Sequence, residues 1–204
     1  DDGSIDGSHQ EWLKYLTRPD DILVRSNDVH EIRAYDRAAG LARGEVLCFL
    51  QDDDIPPPGA EWAETALKLF AKYPRLGILG GFRSYEFSQE PGASGSNTKI
   101  DCGFERPCFI EPDLGVPFMF VETVNLAPLF VRSETYRQLG YDHRLSKAGE
   151  SGILFDQEIC LHAWLKSWQV GLYEAAFLRR VGGRGTLVYS RASRERNFED
   201  NLGL

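Results

Sequence analysis

Positive charge is scarce in this 204-residue chain: 23 Lys and Arg stand against 31 Asp and Glu, for a formal charge of -8. No basic run or stripe is present to neutralise phosphates, which argues against a nucleic-acid partner. The arginines near the C-terminus, Arg179, Arg180, Arg184, Arg191, Arg194 and Arg196, are the local exception. They face a phosphate or belong to a solvated tail, and the last three read as tail. Long hydrophobic runs are missing as well. None approaches the roughly 20 residues of a membrane helix, and the first residues lack the pattern of a secretory signal. As written the chain reads as soluble. Methionine is reduced to Met119, and the chain opens on Asp1, so it reads as processed, trimmed or partial. Cysteine is sparse and shows no zinc spacing. Cys48 and Cys160 fall in apolar segments as small hydrophobes; Cys102 and Cys108, in a Gly- and Pro-containing stretch, are bridged or free according to compartment.

What is present is an alternation of helical and extended patterns, the signature of βαβ units in an α/β fold with a mostly parallel sheet. The length suits one domain over 1–204. Ser8 to Leu16 reads as a short helix with Trp12 or Leu13 and Leu16 inward, and Asp21 to Arg25 as a strand. Ile32, Tyr35, Ala39 and Ala42 recur at helical spacing before Gly44. A strand from Glu45 to Leu50 follows. Trp62, Ala66, Phe70 and Tyr73 then share one helical face, and Leu76 to Phe82 reads as a strand in which Gly80 and Gly81 allow close backbone approach. Residues 88–98 have loop composition. Pro117 to Val131 supplies one or two strands, Ser133 to Leu139 a short helix, Leu154 to Trp168 a helix with Leu161, Trp164, Leu165 and Trp168 inward, and Gln169 to Tyr173 a closing strand.

The most telling segment is Phe49-Leu50-Gln51-Asp52-Asp53-Asp54. An apolar run that looks like a fully buried parallel strand ends in three carboxylates, at the edge where open α/β sheets bind ligands. Adjacent acids repel one another unless a cation is near, and carboxylate oxygens suit Mg²⁺ or Mn²⁺. The structural alternative makes Asp54 a turn or helix-capping residue ahead of Pro56-Pro57-Pro58-Gly59, with Asp52 and Asp53 solvated.

Placed in order, the chain reads Asp-Asp-Gly-Ser-Ile-Asp-Gly-Ser at its start, Asn27 after the next strand, Ala-Arg-Gly-Glu at 42–45, the triple Asp, and Phe-Asp-Gln-Glu at 155–158. This series resembles family 2 glycosyltransferases over essentially the whole chain. The resemblance implies a GT-A, Rossmann-like sandwich flanked by helices, with the first strand, helix and strand of the family missing ahead of Asp1. It implies a metal-assisted transfer of a sugar from a nucleoside-diphosphate donor to a carbohydrate or lipid-linked acceptor. Asp1, Asp2, Asn27 and Asp52 then hold the nucleotide sugar, Asp53 and Asp54 hold Mn²⁺ or Mg²⁺, and Asp156 is the general base of an inverting reaction. Glu158 and Glu150 are fallback bases. The compartment of the parent protein, cytoplasm or Golgi lumen, stays open.

Each role has a structural counterpart. Asp1 and Asp2 also suit a capping turn, and Asp156 also suits an acid complementing a helix dipole. The chain departs from the family pattern at Phe155, where a Glu is usual, at His162, where an Arg is common, and at Tyr35-Asp36, where Arg-Asn is usual. The late metal-binding histidine of several members is absent, and the segment offers Arg179, Arg180 and Arg184 instead, which suit either direct contact with a diphosphate or a place on the surface. Tyr85, Phe87, Phe104 and Phe109 suit acceptor stacking or loop anchoring, and Glu122 suits orienting a hydroxyl. A non-catalytic nucleotide-sugar or carbohydrate binder is the alternative function. A nucleotidyltransferase stands third, weakened by the lack of a triphosphate loop.

Overall fold

The computed structural model describes residues 1–26, 29, 31–51, 54–81, 110–124, 126, 128–140 and 155–179. The backbone divides into two compact units, one of Asp1–Arg43, Tyr141–Phe155 and Tyr189–Leu204, the other of Gly44–Gly140 and Asp156–Val188.

In the first unit, Gly3 (φ 96°) and Gly7 (φ 90°) bend the opening segment through left-handed conformations that side chains disfavour. Gly7 is the N-cap of helix α1, Ser8–Leu13. The expected inward face of this helix is not found: Trp12 and Leu13 are both more than half exposed, and α1 has no buried residue. Helix α2, Glu31–Leu41, does anchor on its apolar stripe, with Ile32 fully buried. The strand expected over Asp21 to Arg25 does not form among the described residues. A single parallel-type rung fixes its end. Asp1 N donates to Val24 O at 3.0 Å and Ser26 N donates to Asp1 O at 2.9 Å.

Among the described residues the second unit carries a sheet of six strands: β1 (Val46–Phe49), β3 (Leu76–Gly80), β4 (Ile110–Glu111), β5 (Val116–Phe120), β6 (Leu129–Arg132) and β7 (Gln169–Tyr173). Their order is β1-β6-β3-β7-β5-β4. Only β3 and β7 pair in parallel; the other ladders are antiparallel. The mostly parallel sheet read from the sequence is corrected on this point, and the reason is topological. β1, helix α3 (Glu61–Lys72) and β3 do form a crossover between strands running the same way, but β6 enters the gap between them in reverse. β1 thus pairs with β6 alone among the described residues, and it is not fully buried: Leu47 and Phe49 face in, whereas Cys48 and Leu50 are exposed.

Helix α3 buries Ala66, Leu69 and Phe70, as its spacing predicts. These pack with Leu76, Leu79, Phe118, Phe130, Tyr173 and Phe177 in one core cluster, each large apolar side chain contributing about 1.5–3 kcal/mol. Arg132 closes the end of α3. Its Nη2 donates to Phe70 O, its Nε donates to Leu76 O at 2.8 Å, and its guanidinium lies over the Phe70 ring. Gly80 and Gly81 serve the close approach expected of them: a Cβ on Gly80 would stand 2.7 Å from Val124 Cβ.

Helix α4, Ser133–Leu139, starts against the 44–45 backbone, where Ser133 N donates to Glu45 O at 2.9 Å. Helix α5, Phe155–Leu165, is present where expected but turned in phase. Its buried residues are Ile159, Cys160 and Ala163, while Leu161 and Leu165 are exposed and Trp164 is 37% exposed. Trp164 faces the rim because its indole N–H is used there, donating to Val121 O and Glu122 O at 3.1 Å each. Trp168 is partly buried and donates to Gln138 Oε1.

Candidate active site

The opening turn of the first unit is built by its own acids. Asp1 Oδ1 accepts the Ser4 N–H at 3.2 Å, and Asp2 Oδ1 accepts the Val29 N–H at 3.0 Å. The Asp1 side chain is only 2% exposed, and its Oδ2 accepts no hydrogen bond among the described residues; the Arg25 Nε lies 3.7 Å away. A buried carboxylate oxygen is costly without a donor. Such an atom suits an N–H or O–H supplied by a nucleoside. The capping alternative is also realised, since the same two residues hold the turn. Asn27 lies outside the described residues.

In the second unit the strand β1 runs into a turn whose ends are bonded reciprocally. Asp54 N donates to Gln51 O at 3.2 Å, and Gln51 N donates to Asp54 Oδ2 at 2.8 Å. Asp54 is thus a turn-forming acid, with its Oδ1 buried. Asp52 and Asp53 lie outside the described residues. The turn leads into β2, Asp54–Ile55, which forms an antiparallel ribbon with β8, Leu178–Arg179. In that register Asp54 stands opposite Arg179.

Asp156 occupies the first turn of α5, on the same stripe as Ile159, Cys160 and Ala163 at helical spacing. Its Oδ2 accepts the Leu126 N–H at 3.1 Å and its Oδ1 accepts the Gln157 N–H at 2.9 Å. Loss of solvent raises its carboxyl pKa above the ordinary value, although the two N–H donors pull the other way. A carboxylate of raised pKa held at a helix start is a stronger proton acceptor than a solvated Asp. Leu126 is the participant that sequence reasoning missed. It acts through its backbone N–H, for which an apolar residue type gives no signal.

Glu122 is exposed, on the segment held by Trp164. Glu158 is partly buried, with its Oε1 3.8 Å from His162 Nε2. Glu150, Tyr85, Phe87, Phe104, Phe109, Cys102, Cys108, Arg180 and Arg184 lie outside the described residues. The structure therefore joins Asp1 with Asp2 in one turn, Asp54 with Arg179 in one rung, and Asp156 with Leu126. Among the described residues no three His, Cys, Asp or Glu side chains gather as a metal site.

The fold is that of GT-A glycosyltransferases. The chain is similar to S. aureus TarS 1-349 in complex with UDP-GlcNAc, at 16% identity and a TM-score of 0.55 over 93% of this chain and 51% of that one. It is similar to S. aureus TarS 1-349 in a second crystal structure, at 17% identity and a TM-score of 0.52 over 86% and 49%. A mycobacterial protein matches at 12% identity and a TM-score of 0.55 over 92% and 57%. The chain thus spans about half the length of these structures. No curated protein matches it significantly. The family profile "Glycosyl transferase family 2" matches residues 1–119, more than half of the sequence, and the chain belongs to that family.

Proposed function

We propose that this chain moves a sugar from a nucleoside-diphosphate donor to a carbohydrate or lipid-linked acceptor, with inversion at the anomeric carbon. The observation that carries the reading is Asp156. Its carboxylate is placed by the α5 start and two backbone N–H groups, and burial makes it more basic than a solvated Asp. In this role it accepts the proton of the acceptor hydroxyl as that oxygen attacks the sugar from the face opposite the leaving diphosphate. Asp1 and Asp2 take the nucleoside, a role supported by the buried Asp1 Oδ2. Asn27 and Asp52 complete the donor contacts.

Mn²⁺ or Mg²⁺ fits the donor chemistry of the acid triplet. Asp53 and Asp54 would hold it, with Asp54 also fixing the shape of the turn through Gln51. When bound, the cation supplies Lewis-acid stabilisation to the departing diphosphate. UDP-GlcNAc, which the S. aureus relative holds, is the first donor to try.

The reading is tested by calorimetric binding and product release with a panel of nucleotide sugars, with Mn²⁺ and with EDTA. Asp53→Asn/Asp54→Asn should abolish metal-dependent donor binding, and unchanged affinity in that variant would refute the metal assignment. Donor binding without any transfer to acceptors, together with full retention of binding in Asp156→Asn, would favour a non-catalytic relative.

A further inference from the structure

We infer that Trp164 is a positioning residue: through two main-chain carbonyls it fixes the segment after β5, and that segment holds the Asp156 carboxylate in the orientation from which it takes a proton. The inference deepens the function proposed above and depends on it. Its basis is a pair of fastenings between one helix and one stretch of chain. At the start of α5, Asp156 Oδ2 accepts the Leu126 N–H at 3.1 Å. Eight residues further along the helix, the Trp164 indole N–H is shared between Val121 O and Glu122 O, at 3.1 Å each.

The fastenings constrain each other because the chain between them is short. Eight residues of α-helix rise about 12 Å, whereas the four steps from Glu122 to Leu126 reach at most about 13–14 Å. Little slack is left, so a shift at Glu122 is felt at the Leu126 N–H. Burial alone does not set this position. Val121, Val124 and Leu126 are buried, which keeps the segment on the sheet, but apolar burial is non-directional. Val121 N also donates to Val170 O at 3.0 Å, so the indole governs the next step, the departure of the chain from the sheet at Glu122. The residue type points the same way. Trp164 is partly exposed, and what an indole adds to Phe or Leu is one N–H donor. The contact it secures also bears on the charge of Asp156: burial raises the carboxyl pKa, and the Leu126 N–H leads the causes that lower it. Glu158 and His162 on α5 and Glu122 on the segment are not among those causes.

The test compares Trp164→Phe with wild type in the release of nucleoside diphosphate, water serving as acceptor, from the best substrate in a panel of UDP-, GDP-, CDP- and dTDP-sugars. In this step the water oxygen bonds to the anomeric carbon, the bond to the diphosphate breaks with its electron pair, and Asp156 takes the water proton. At a temperature where both proteins are folded, kcat should fall about 10-fold, inside the 10²-fold that a displacement of about 1 Å far from the chemistry costs. KM for the nucleotide sugar should be unchanged. Carbon NMR titration of the Asp156 carboxyl should show a midpoint moved to higher pH, since the charged form loses an N–H donor. In an Asp156→Asn background, Trp164→Phe should cost nothing further. A lower melting midpoint with kcat and titration unchanged makes Trp164 a packing residue and overturns the proposal, as does a full second loss in the Asp156→Asn background. Exchange of Trp164 for benzothienylalanine keeps both rings and removes only the N–H. It should reproduce the loss, also where Trp164→Phe does not fold, and wild-type behaviour would overturn the proposal. If wild type turns over no nucleotide sugar, or Asp156→Asn keeps its kcat, the function proposed above falls, and this inference with it. Loss in Asp156→Asn with none in Trp164→Phe refutes this inference alone.

Discussion

Replacing Asp156 by Asn separates a proton acceptor from a residue that only caps a helix. The carboxylate gives each of two backbone N–H groups its own oxygen, Leu126 at 3.1 Å and Gln157 at 2.9 Å. An amide retains one such oxygen. One N–H must then face an NH₂ group, and an unsatisfied buried donor costs about 1–3 kcal/mol. Part of this is returned because the variant no longer buries a charge. The returned part has a pH signature. Since the folded-state pKa is raised, the Asp156 contribution to stability is fully present below its unfolded value of about 3.9. It is lost as pH rises through the higher folded value. The Asn variant should lack that slope, so its deficit against wild type should be larger at acid pH than at neutral pH.

Thermal unfolding across pH reads this directly, at about 2–4 °C of midpoint per kcal/mol for a chain of this size. Activity is the second readout. Loss of a general base should lower kcat by about 10²–10⁴-fold, far beyond what a few degrees of lost stability removes at a temperature where the variant is folded. A variant that is destabilised as described yet keeps wild-type kcat would refute the base assignment and leave Asp156 a helix-start acid.

Other substitutions test the scaffold. Gly80→Ala puts a Cβ 2.7 Å from Val124 Cβ, and urea unfolding should show a loss of about 1–3 kcal/mol. Ser167, at φ 66° after α5, should tolerate glycine with a gain of up to about 1 kcal/mol, read as a higher midpoint. Glu111 is buried and bound by Lys72 and by the Asp113 and Leu114 N–H groups, with Lys72 the leading cause of its lowered pKa. Its contribution is present above its unfolded value of about 4.3 and is lost as pH falls through the depressed one. Glu111→Gln should therefore flatten the acid limb of the stability profile; an unchanged limb would refute the clamp.

Several elements were legible in the sequence because period and burial agree. Ala66 and Phe70 fall on the face that α3 buries, and Leu76 to Gly80 is buried throughout. The GT-A class and the family were legible from motif order. Strand direction was not: the apolar run of β1 reads the same whether its neighbour is parallel or, as with β6, antiparallel. The phase of α5 was misread because its large residues, Leu161, Trp164 and Leu165, outweigh the small buried Cys160 and Ala163. Taking Asp156 with Ile159, Cys160 and Ala163 would have found the inward stripe. Leu126 left no trace, since a main-chain donor has no residue signature.

The segment after β5 is fastened to α5 twice, at Val121 and Glu122 by the Trp164 indole and at Leu126 by the Asp156 carboxylate. Two rivets on one plate prevent it from swivelling. On the function proposed above, an acceptor that displaces this strip would have to drag the Asp156 end of the helix along, so fit at the strip and readiness for chemistry should rise and fall as a single variable. Loosening the distant rivet, by Trp164→Phe, would then blunt turnover without touching a reacting atom.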